Sequence, residues 1–494
     1  MPPPLSYTDA LGFWYGRINY EQRSPKPGDL KLDRMRALMC LLGNPQDRLR
    51  IVHVAGSKGK GSTAAMLAAV LTRAGYRTGL FISPHLCHVE ERIQVEGRPI
   101  TPDELTSLLG DIRVALSSAP DLEPTFFEIA TAVGFLHFWR RRAEAAVIEV
   151  GLGGRFDSTN ICRPALAVIT NISFDHVQQL GNTLAQIAFE KAGIIKPGRP
   201  VVSGATAPEA AAVIERIAGE RRAPLHQLGA DFHYEYVTGR VTAEATIWPR
   251  VRVASGVSPL APVLRGEGSG VRGPFLESSN PLTPTPLPGV PGRGASEPSS
   301  RHDWMELGLL GEHQAANAAV AVSAIERLRS QGWHISESAL AAGLAEVNWP
   351  ARMEVVGRRP LVVLDCAHNV ASAEALTATL LSTFPPARCW LIFAGSGDKD
   401  LVGMLRVLAP HFAHAFLTRY AGSSRGMPAE ELAALLRRTT DLPHSVHPTA
   451  LDAWHTARER ASPDDLICVT GSVFLAGELR PMLQAEPVAA TQRT

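Results

Sequence analysis

Residues Gly56-Ser-Lys-Gly-Lys-Gly-Ser62 follow the apolar run Ile51–Ala55 and precede a helical pattern opening at Ser62-Thr63-Ala64. Strand, glycine-rich turn and helix in that order make a phosphate cradle. Glycines let backbone N–H groups close on an anion, and the helix N-terminus adds partial positive charge. Lys60 is placed to reach β- and γ-phosphates, and a hydroxyl from Ser62 or Thr63 to face Mg²⁺. Gly59, Lys60, Gly61, Ser62 and Thr63 are therefore expected to hold ATP or GTP. Gly61 stands between the lysine and the first hydroxyl, where the commonest P-loop has none.

Other polar groups fall at the ends of apolar runs. Glu149 closes Ala145–Ile148 and precedes Val150-Gly-Leu-Gly-Gly-Arg155, a position for Mg²⁺ coordination in an α/β crevice. Asp175-His176 follows Leu166–Thr170, so His176 could hold a second metal or cap a turn. Two ions would suit phosphoryl transfer. Ser83-Pro84-His85 ends Thr78–Ile82 and offers another hydroxyl. Asp365 ends Leu361–Leu364 with His368-Asn369 behind it, and Gly395-Ser-Gly-Asp-Lys-Asp400 ends Cys389–Phe393. Polar strand ends in both halves predict a site between two lobes that closes on binding. By composition Lys191, on a helix over 183–193, is an ordinary surface lysine.

The elements that must position these groups read as doubly wound α/β. Apolar strands Ile51–Ala55, Thr78–Ile82, Ala145–Val150 and Ala165–Thr170 alternate with helices over 62–75, 102–116 and 126–142. Gly75 and Gly110 are expected helix ends. From Asp231 the texture changes, with His233–Val237 and Val241–Trp248 alternating as antiparallel strands. Residues 254–302 are rich in Pro, Gly and Ser and read as a disordered insertion. A helix over 312–328 follows, then a smaller Rossmann-like block with strands Leu361–Leu364, Cys389–Phe393, His414–Thr418 and Leu466–Val469. The expected division is 1–350, an ATP-binding P-loop domain containing the insertion, then 351–484, with 485–494 a tail.

The 494 residues carry a formal net charge of +1, which gives no electrostatic footprint for nucleic acid or an anionic membrane. No apolar run is long enough to span a bilayer and no signal peptide is evident, so a cytoplasmic protein is expected. The six cysteines lack C-x-x-C spacing, which argues against disulfides and zinc.

Taken together, these motifs resemble the folylpolyglutamate synthase/dihydrofolate synthase family of the Mur ligase superfamily. The segments are His53–Ser62, Ser83-Pro-His-Leu86, Glu91-Arg-Ile93, Glu149–Arg155, Thr170-Asn-Ile172 with Asp175-His176, Glu190-Lys-Ala-Gly-Ile194, His313-Gln314 with Asn317, Asp365-Cys-Ala-His-Asn369 and Asp398-Lys-Asp400. The resemblance runs from about residue 12 to 480 and implies an ATP-dependent amide ligase. ATP would phosphorylate a carboxylate of dihydropteroate or a reduced folate, and the amine of L-glutamate would attack the acyl phosphate. It further implies Ser83, Glu149 and His176 as Mg²⁺ ligands, and Asn317, Arg352 and Asp365 as ATP contacts. Lys191 would be carbamylated and catalytic, with His368 also catalytic. Pterin contacts are expected at Thr125, Phe126, Phe127, Glu128, Phe156, Asp157 and Ser158. A monomer is expected. Freeing the Lys191 amine at neutral pH costs roughly 4 kcal/mol unless the site depresses its pKa, a task expected of Mg²⁺. Ser57-Lys58 stands where Thr-Asn is commoner in the family, and Cys366 where Gly is usual. A related ligase acting on cell-wall precursors and a P-loop switch without ligase activity are the alternatives.

Overall fold

A parallel strand buried on both faces has no polar side to show water, and the apolar runs of the first half fold accordingly. The computed structural model describes residues 5–21, 29, 31–256, 302–422 and 425–485. Its first sheet has eight strands: β1 (Arg50–Ala55), β2 (Thr78–Phe81), β3 (Ile93–Val95), β4 (Arg98–Pro99), β5 (Ala145–Glu149), β6 (Leu166–Ile169), β7 (Val201–Ser203) and β8 (Leu225–Gln227). The spatial order is β4-β3-β2-β5-β1-β6-β7-β8. Pairing is parallel from β2 to β8, and β3 and β4 add an antiparallel edge. With β5 on one side of β1 and β6 on the other, the crevice at a strand-order switch opens beyond Ala55.

Helices cover both faces. Lys60–Arg73, Glu312–Arg329 and Glu337–Glu346 bury Val52, Val54, Leu67, Val70, Val322 and Leu344 on one side. Pro102–Ser117 and Phe126–Arg140 bury Ile51, Phe81, Leu109, Val133 and Ile148 on the other. Leu184–Lys191 and Pro208–Glu220 extend that cover over β6 and β7. Gly110, expected to end a helix, lies inside Pro102–Ser117, where the first neighbour of an added side chain would be Leu5 Cδ1 at 4.0 Å.

β9 (Phe232–Val237), β12 (Arg250–Ser255) and β13 (Met305–Glu306) form a small sheet, with the hairpin β10 (Arg240–Val241)–β11 (Thr246–Ile247) between β9 and β12 in sequence. The single strand expected over Val241–Trp248 is thus two, because Thr242 closes a turn onto Ala245 through N–H···O (2.9 Å). β12 continues through Ala254 and Ser255, paired with His233 and Phe232, so the start expected for the insertion belongs to a strand. The rest of that stretch, 257–301, lies outside the described residues, as do 486–494 of the expected tail.

A second sheet has six strands in the order β14-β15-β19-β16-β17-β18. They are β14 (Glu354–Arg358), β15 (Leu361–Leu364), β16 (Cys389–Phe393), β17 (His414–Leu417), β18 (His444–Val446) and β19 (Leu466–Thr470). Only β14 is antiparallel. The two strands without a sequence signal, β14 and β18, are the edges, where one open side tolerates charged and polar residues. Helices Val370–Thr383, Leu401–Leu408 and Ala429–Thr439 pack on one face, and Ala450–Arg460 with Val473–Ala485 on the other. No helix among the described residues is long and apolar enough to cross a membrane.

Candidate active site

The glycine loop turns where only glycine fits. Gly56 has φ +151°, and a side chain there would start 1.8 Å from Thr170 Oγ1. Gly59 has φ +79° and caps the helix Lys60–Arg73, with Asn317 Oδ1 only 2.1 Å from where a Cβ would stand. Asn317, from the helix Glu312–Arg329, therefore sits directly on the turn. The loop is tied to the end of β6: Ser57 N–H donates to the Asn171 carbonyl (2.8 Å) and Lys58 N–H to Asn171 Oδ1 (2.9 Å). Thr170 Oγ1 donates to the Lys58 carbonyl (2.6 Å). The leading amides of the following helix, from Lys60 to Ser62, have no intrahelical acceptor and face the crevice end of β1. Ser62 and Thr63 are both buried, and Thr63 Oγ1 has no protein partner among the described residues.

The charge of Lys60 reaches several groups near the loop, Glu149, Asp175, His176 and Lys191. Glu149, at the end of β5, is buried, and its Oε2 accepts the Ser83 N–H at 3.3 Å. Burial pushes its pKa up to about 7, against the pull of Lys60, Ser83 N–H and Arg352. No cation is bonded to this carboxylate among the described residues, which leaves a buried acid suited to receive one.

Lys191 is not a surface lysine. It is 3% exposed, and its Nζ donates to the Gly56 carbonyl at 2.8 Å. Burial first, then Lys60, lowers its pKa to about 7. The protein alone therefore supplies the depression expected of a metal. Asp175 bonds Lys58 Nζ at 2.8 Å and the His176 N–H at 3.1 Å. Burial opposes ionisation of Asp175, but Lys58 and His176 hold its carboxyl well below the usual range. His176, at φ +50°, has its pKa lowered to about 4 by burial, partly offset by Asp175.

The second sheet faces this cluster. Arg352 acts on Glu149 across the crevice, and its guanidinium makes no hydrogen bond or ion pair among the described residues. Asp365, expected to contact ATP, has both oxygens engaged: Oδ2 by Met353 N–H (3.0 Å) and Oδ1 by Ala367 N–H (2.7 Å). His368 is neutral, its pKa lowered to about 3 by burial and then by Lys58. Its Nδ1 lies 2.9 Å from the Cys366 carbonyl, which leaves Nε2 as the acceptor.

The expected pterin residues separate into two groups. Thr125 and Glu128 are locked in a capping box, with Arg34 Nε on Glu128 Oε2 at 2.7 Å. Phe126 is enclosed, stacked on Trp14 (5.0 Å) and Tyr15 (5.5 Å), because its position in the first helical turn points at the core. Asp157 accepts from the Gly151, Leu152 and Thr159 N–H groups, and Ser158 Oγ bonds Thr131 Oγ1 at 2.6 Å. These groups hold the loop rather than present free polar atoms. Phe127 packs under Gly151, whereas Phe156 is 48% exposed. The ion pair between Lys58 and Asp175 was not assigned a role by sequence reasoning; its signal was the unusual lysine within the loop. His302, Glu326 and Glu337 also have metal-like spacing, but Arg329 already bonds both carboxylates.

Two family models match the chain: the Mur ligase middle domain over residues 54–244 and the Mur ligase glutamate ligase domain over residues 351–473. The dihydrofolate synthase/folylpolyglutamate synthase of Bacillus subtilis is 33% identical over 485 residues, 97% of this chain and 99% of that protein. Among solved structures, E. coli FolC in complex with DHPP and ADP gives a TM-score of 0.77 at 27% identity, covering 98% of this chain and 99% of that one. Mycobacterium tuberculosis folylpolyglutamate synthase complexed with ADP and AMPPCP gives 0.78 at 28% identity, over 98% and 100%.

Proposed function

The chain belongs to the dihydrofolate synthase/folylpolyglutamate synthase family of Mur ligases, and on that footing we propose how its residues divide the work of an ATP-dependent carbon–nitrogen ligase. L-Glutamate is joined to dihydropteroate, to the glutamate tail of a tetrahydrofolate, or to both. The observation that carries the reading is the phosphate loop itself, with Asn317 seated on Gly59, Lys191 Nζ bonded to the Gly56 carbonyl, Lys58 paired to Asp175, and the buried carboxylate of Glu149 bonded to Ser83 N–H at the end of a neighbouring strand. The proposed division of the chain falls at about residue 350, with the site between the parts.

The loop amides, Lys60 and Asn317 hold the ATP phosphates, and Arg352 meets them from the far side. An oxygen of the acceptor carboxylate attacks the γ-phosphorus; the bond to the β–γ bridging oxygen breaks and ADP leaves. The glutamate amine then attacks the acyl carbon, phosphate departs, and the amine gives up a proton. Positioning and charge neutralisation supply most of the acceleration in such transfers. Glu149, Ser83 and His176 would hold Mg²⁺, which when bound neutralises charge on the transferring phosphoryl group. The buried carboxylate of Glu149, which bonds Ser83 N–H and no cation among the described residues, fits that role. Lys191, with a pKa near 7, is half neutral at neutral pH and open to carbamylation by CO₂. His368 orients the incoming amine through Nε2 as an acceptor. Phe156 offers the exposed ring for the pterin.

The test is a side-by-side assay with ATP, Mg²⁺, L-glutamate and either dihydropteroate or tetrahydrofolate, reading ADP release and amide product by mass. ADP release matched to glutamylated product supports the reading. ADP release independent of any acceptor would mark a nucleotide switch, and turnover confined to cell-wall precursors would move the chain to another ligase branch.

A further inference from the structure

Arg352 is held by its neighbours' backbone, not by its own side chain. Ala351 (φ +53°) and Met353 (φ +52°) flank it, both in the left-handed region that side-chain-bearing residues avoid. Such a turn persists only where the surroundings impose it. Four bonds do so here. Met353 N–H donates to Asp365 Oδ2 (3.0 Å), and the Ala351 carbonyl accepts from Cys366 N–H (3.1 Å) and Cys366 Sγ (3.0 Å). The fourth is Ala351 N–H to Glu354 Oε2 at 2.8 Å. Glu354 is in turn gripped by Arg480, Nε to Oε2 at 2.9 Å and Nη2 to Oε1 at 2.8 Å, with both side chains less than one-fifth exposed.

Arg480 belongs to the helix Val473–Ala485, which also touches the first half of the chain. The Leu86 carbonyl oxygen lies 2.1 Å from where a side chain on Gly477 would begin, and Cys87 Sγ donates to the Gly477 carbonyl at 3.4 Å. Leu86 and Cys87 closely follow Ser83, whose N–H bonds Glu149. The helix thus rests on the segment beside the buried acid while gripping the tether of the facing arginine.

We infer that Glu354 and Arg480 are positioning residues for Arg352: their ion pair fixes the strained turn that aims the guanidinium at the nucleotide, and it seats that turn against the Leu86–Cys87 segment. This rests on the reading that Arg352 meets the ATP phosphates. Neither residue is proposed to touch a substrate.

The experiment compares Arg480→Ala, Arg480→Lys, Glu354→Gln, Arg352→Ala and the double variant Arg352→Ala/Arg480→Ala in the full chain. Its readouts are kcat, KM for ATP, KM for glutamate and thermal midpoint. Arg480→Ala and Glu354→Gln should raise KM for ATP roughly tenfold with glutamate KM unchanged, and Arg480→Lys should recover part of the loss. In the Arg352→Ala background, Arg480→Ala should add nothing further to KM for ATP. A fall in thermal midpoint with ATP KM unmoved, or an effect that adds fully to Arg352→Ala, would overturn the inference while leaving Arg352 at the nucleotide. An Arg352→Ala variant with unaltered ATP KM would overturn the underlying reading as well. Should Arg480→Ala fail to accumulate, Glu354→Asp, which keeps the charge and shortens its reach, gives the same comparison.

Discussion

Lys191 Nζ donates to the carbonyl of Gly56, the first residue of the phosphate loop, at 2.8 Å. An amine so placed reports directly on the loop, and burial lowers its pKa to about 7. Its neutral, CO₂-reactive fraction therefore rises between about pH 6 and 8. Activity in CO₂-depleted buffer should fall several-fold and return on adding bicarbonate, with the deficit larger at pH 6.5 than at pH 8. A ¹³C-bicarbonate NMR signal for a carbamate should be present in the parent and absent in Lys191→Ala. Full activity without CO₂ would remove the carbamate from the mechanism.

The pair of Lys58 and Asp175 is mostly shielded from water, with side-chain exposures of 21% and 11%. Removing one partner strands the other charge, so Lys58→Ala should cost about 2 kcal/mol, a figure reduced for the partial exposure. The double variant Lys58→Ala/Asp175→Asn should be less destabilised than the sum of the singles by about 1 kcal/mol or more. Denaturant titration of the four proteins measures the coupling, and simple additivity would show that the pair contributes nothing as a pair.

Phe126 and Phe156 should respond in opposite ways. Phe126, enclosed by Trp14 and Tyr15, should cost about 3–5 kcal/mol on truncation to Ala and lower apparent kcat only through lost folded protein, with the KM values unchanged. Phe156→Ala, on the surface, should leave the thermal midpoint within about 1 °C and raise KM for the pteroate or folate acceptor. An acceptor KM untouched by Phe156→Ala would move the pterin elsewhere.

Much of this arrangement is legible without coordinates, for a physical reason. Ile51–Ala55, interrupted only by His53, and Ala145–Ile148 are short runs rich in β-branched and small apolar residues between glycine-bearing turns, the pattern of a parallel strand buried on both faces. The glycines at 56 and 59 advertise backbone angles that other residues avoid. What was not legible depends on pairings distant in sequence. Lys191 reads as a surface lysine because nothing local reveals that its helix lies against the loop after β1. Glu354 and Arg480 are 126 positions apart, and each alone is an unremarkable charge. The burial of Phe126 against Trp14 and Tyr15 was not legible either, because the neighbouring aromatics Phe126 and Phe127 do not reveal which of them faces the core. The edge strands β14 and β18 lack an apolar signal because one of their sides needs none.

Glu149 offers the sharpest test of the buried-acid reading. Its pKa is about 7 in the folded chain against an ordinary 4.5. Between those values the folded protein keeps a proton that the unfolded chain has released, so stability falls as pH rises through the window and the full deficit is reached above pH 7. The gap between 4.5 and about 7 corresponds to about 3 kcal/mol. Glu149→Gln removes the ionisable group, so the metal-free variant should be more stable than its parent at pH 8, with the advantage shrinking toward zero near pH 4.5. The same exchange removes the acid that would hold Mg²⁺. Mg²⁺ should therefore raise the thermal midpoint of the parent at pH 8 and leave that of Glu149→Gln unmoved, while kcat falls by about 100-fold or more. A variant less stable than its parent at pH 8 would mean that Glu149 is already paired in the folded protein. Equal stabilisation of both proteins by Mg²⁺ would place the ion on other residues.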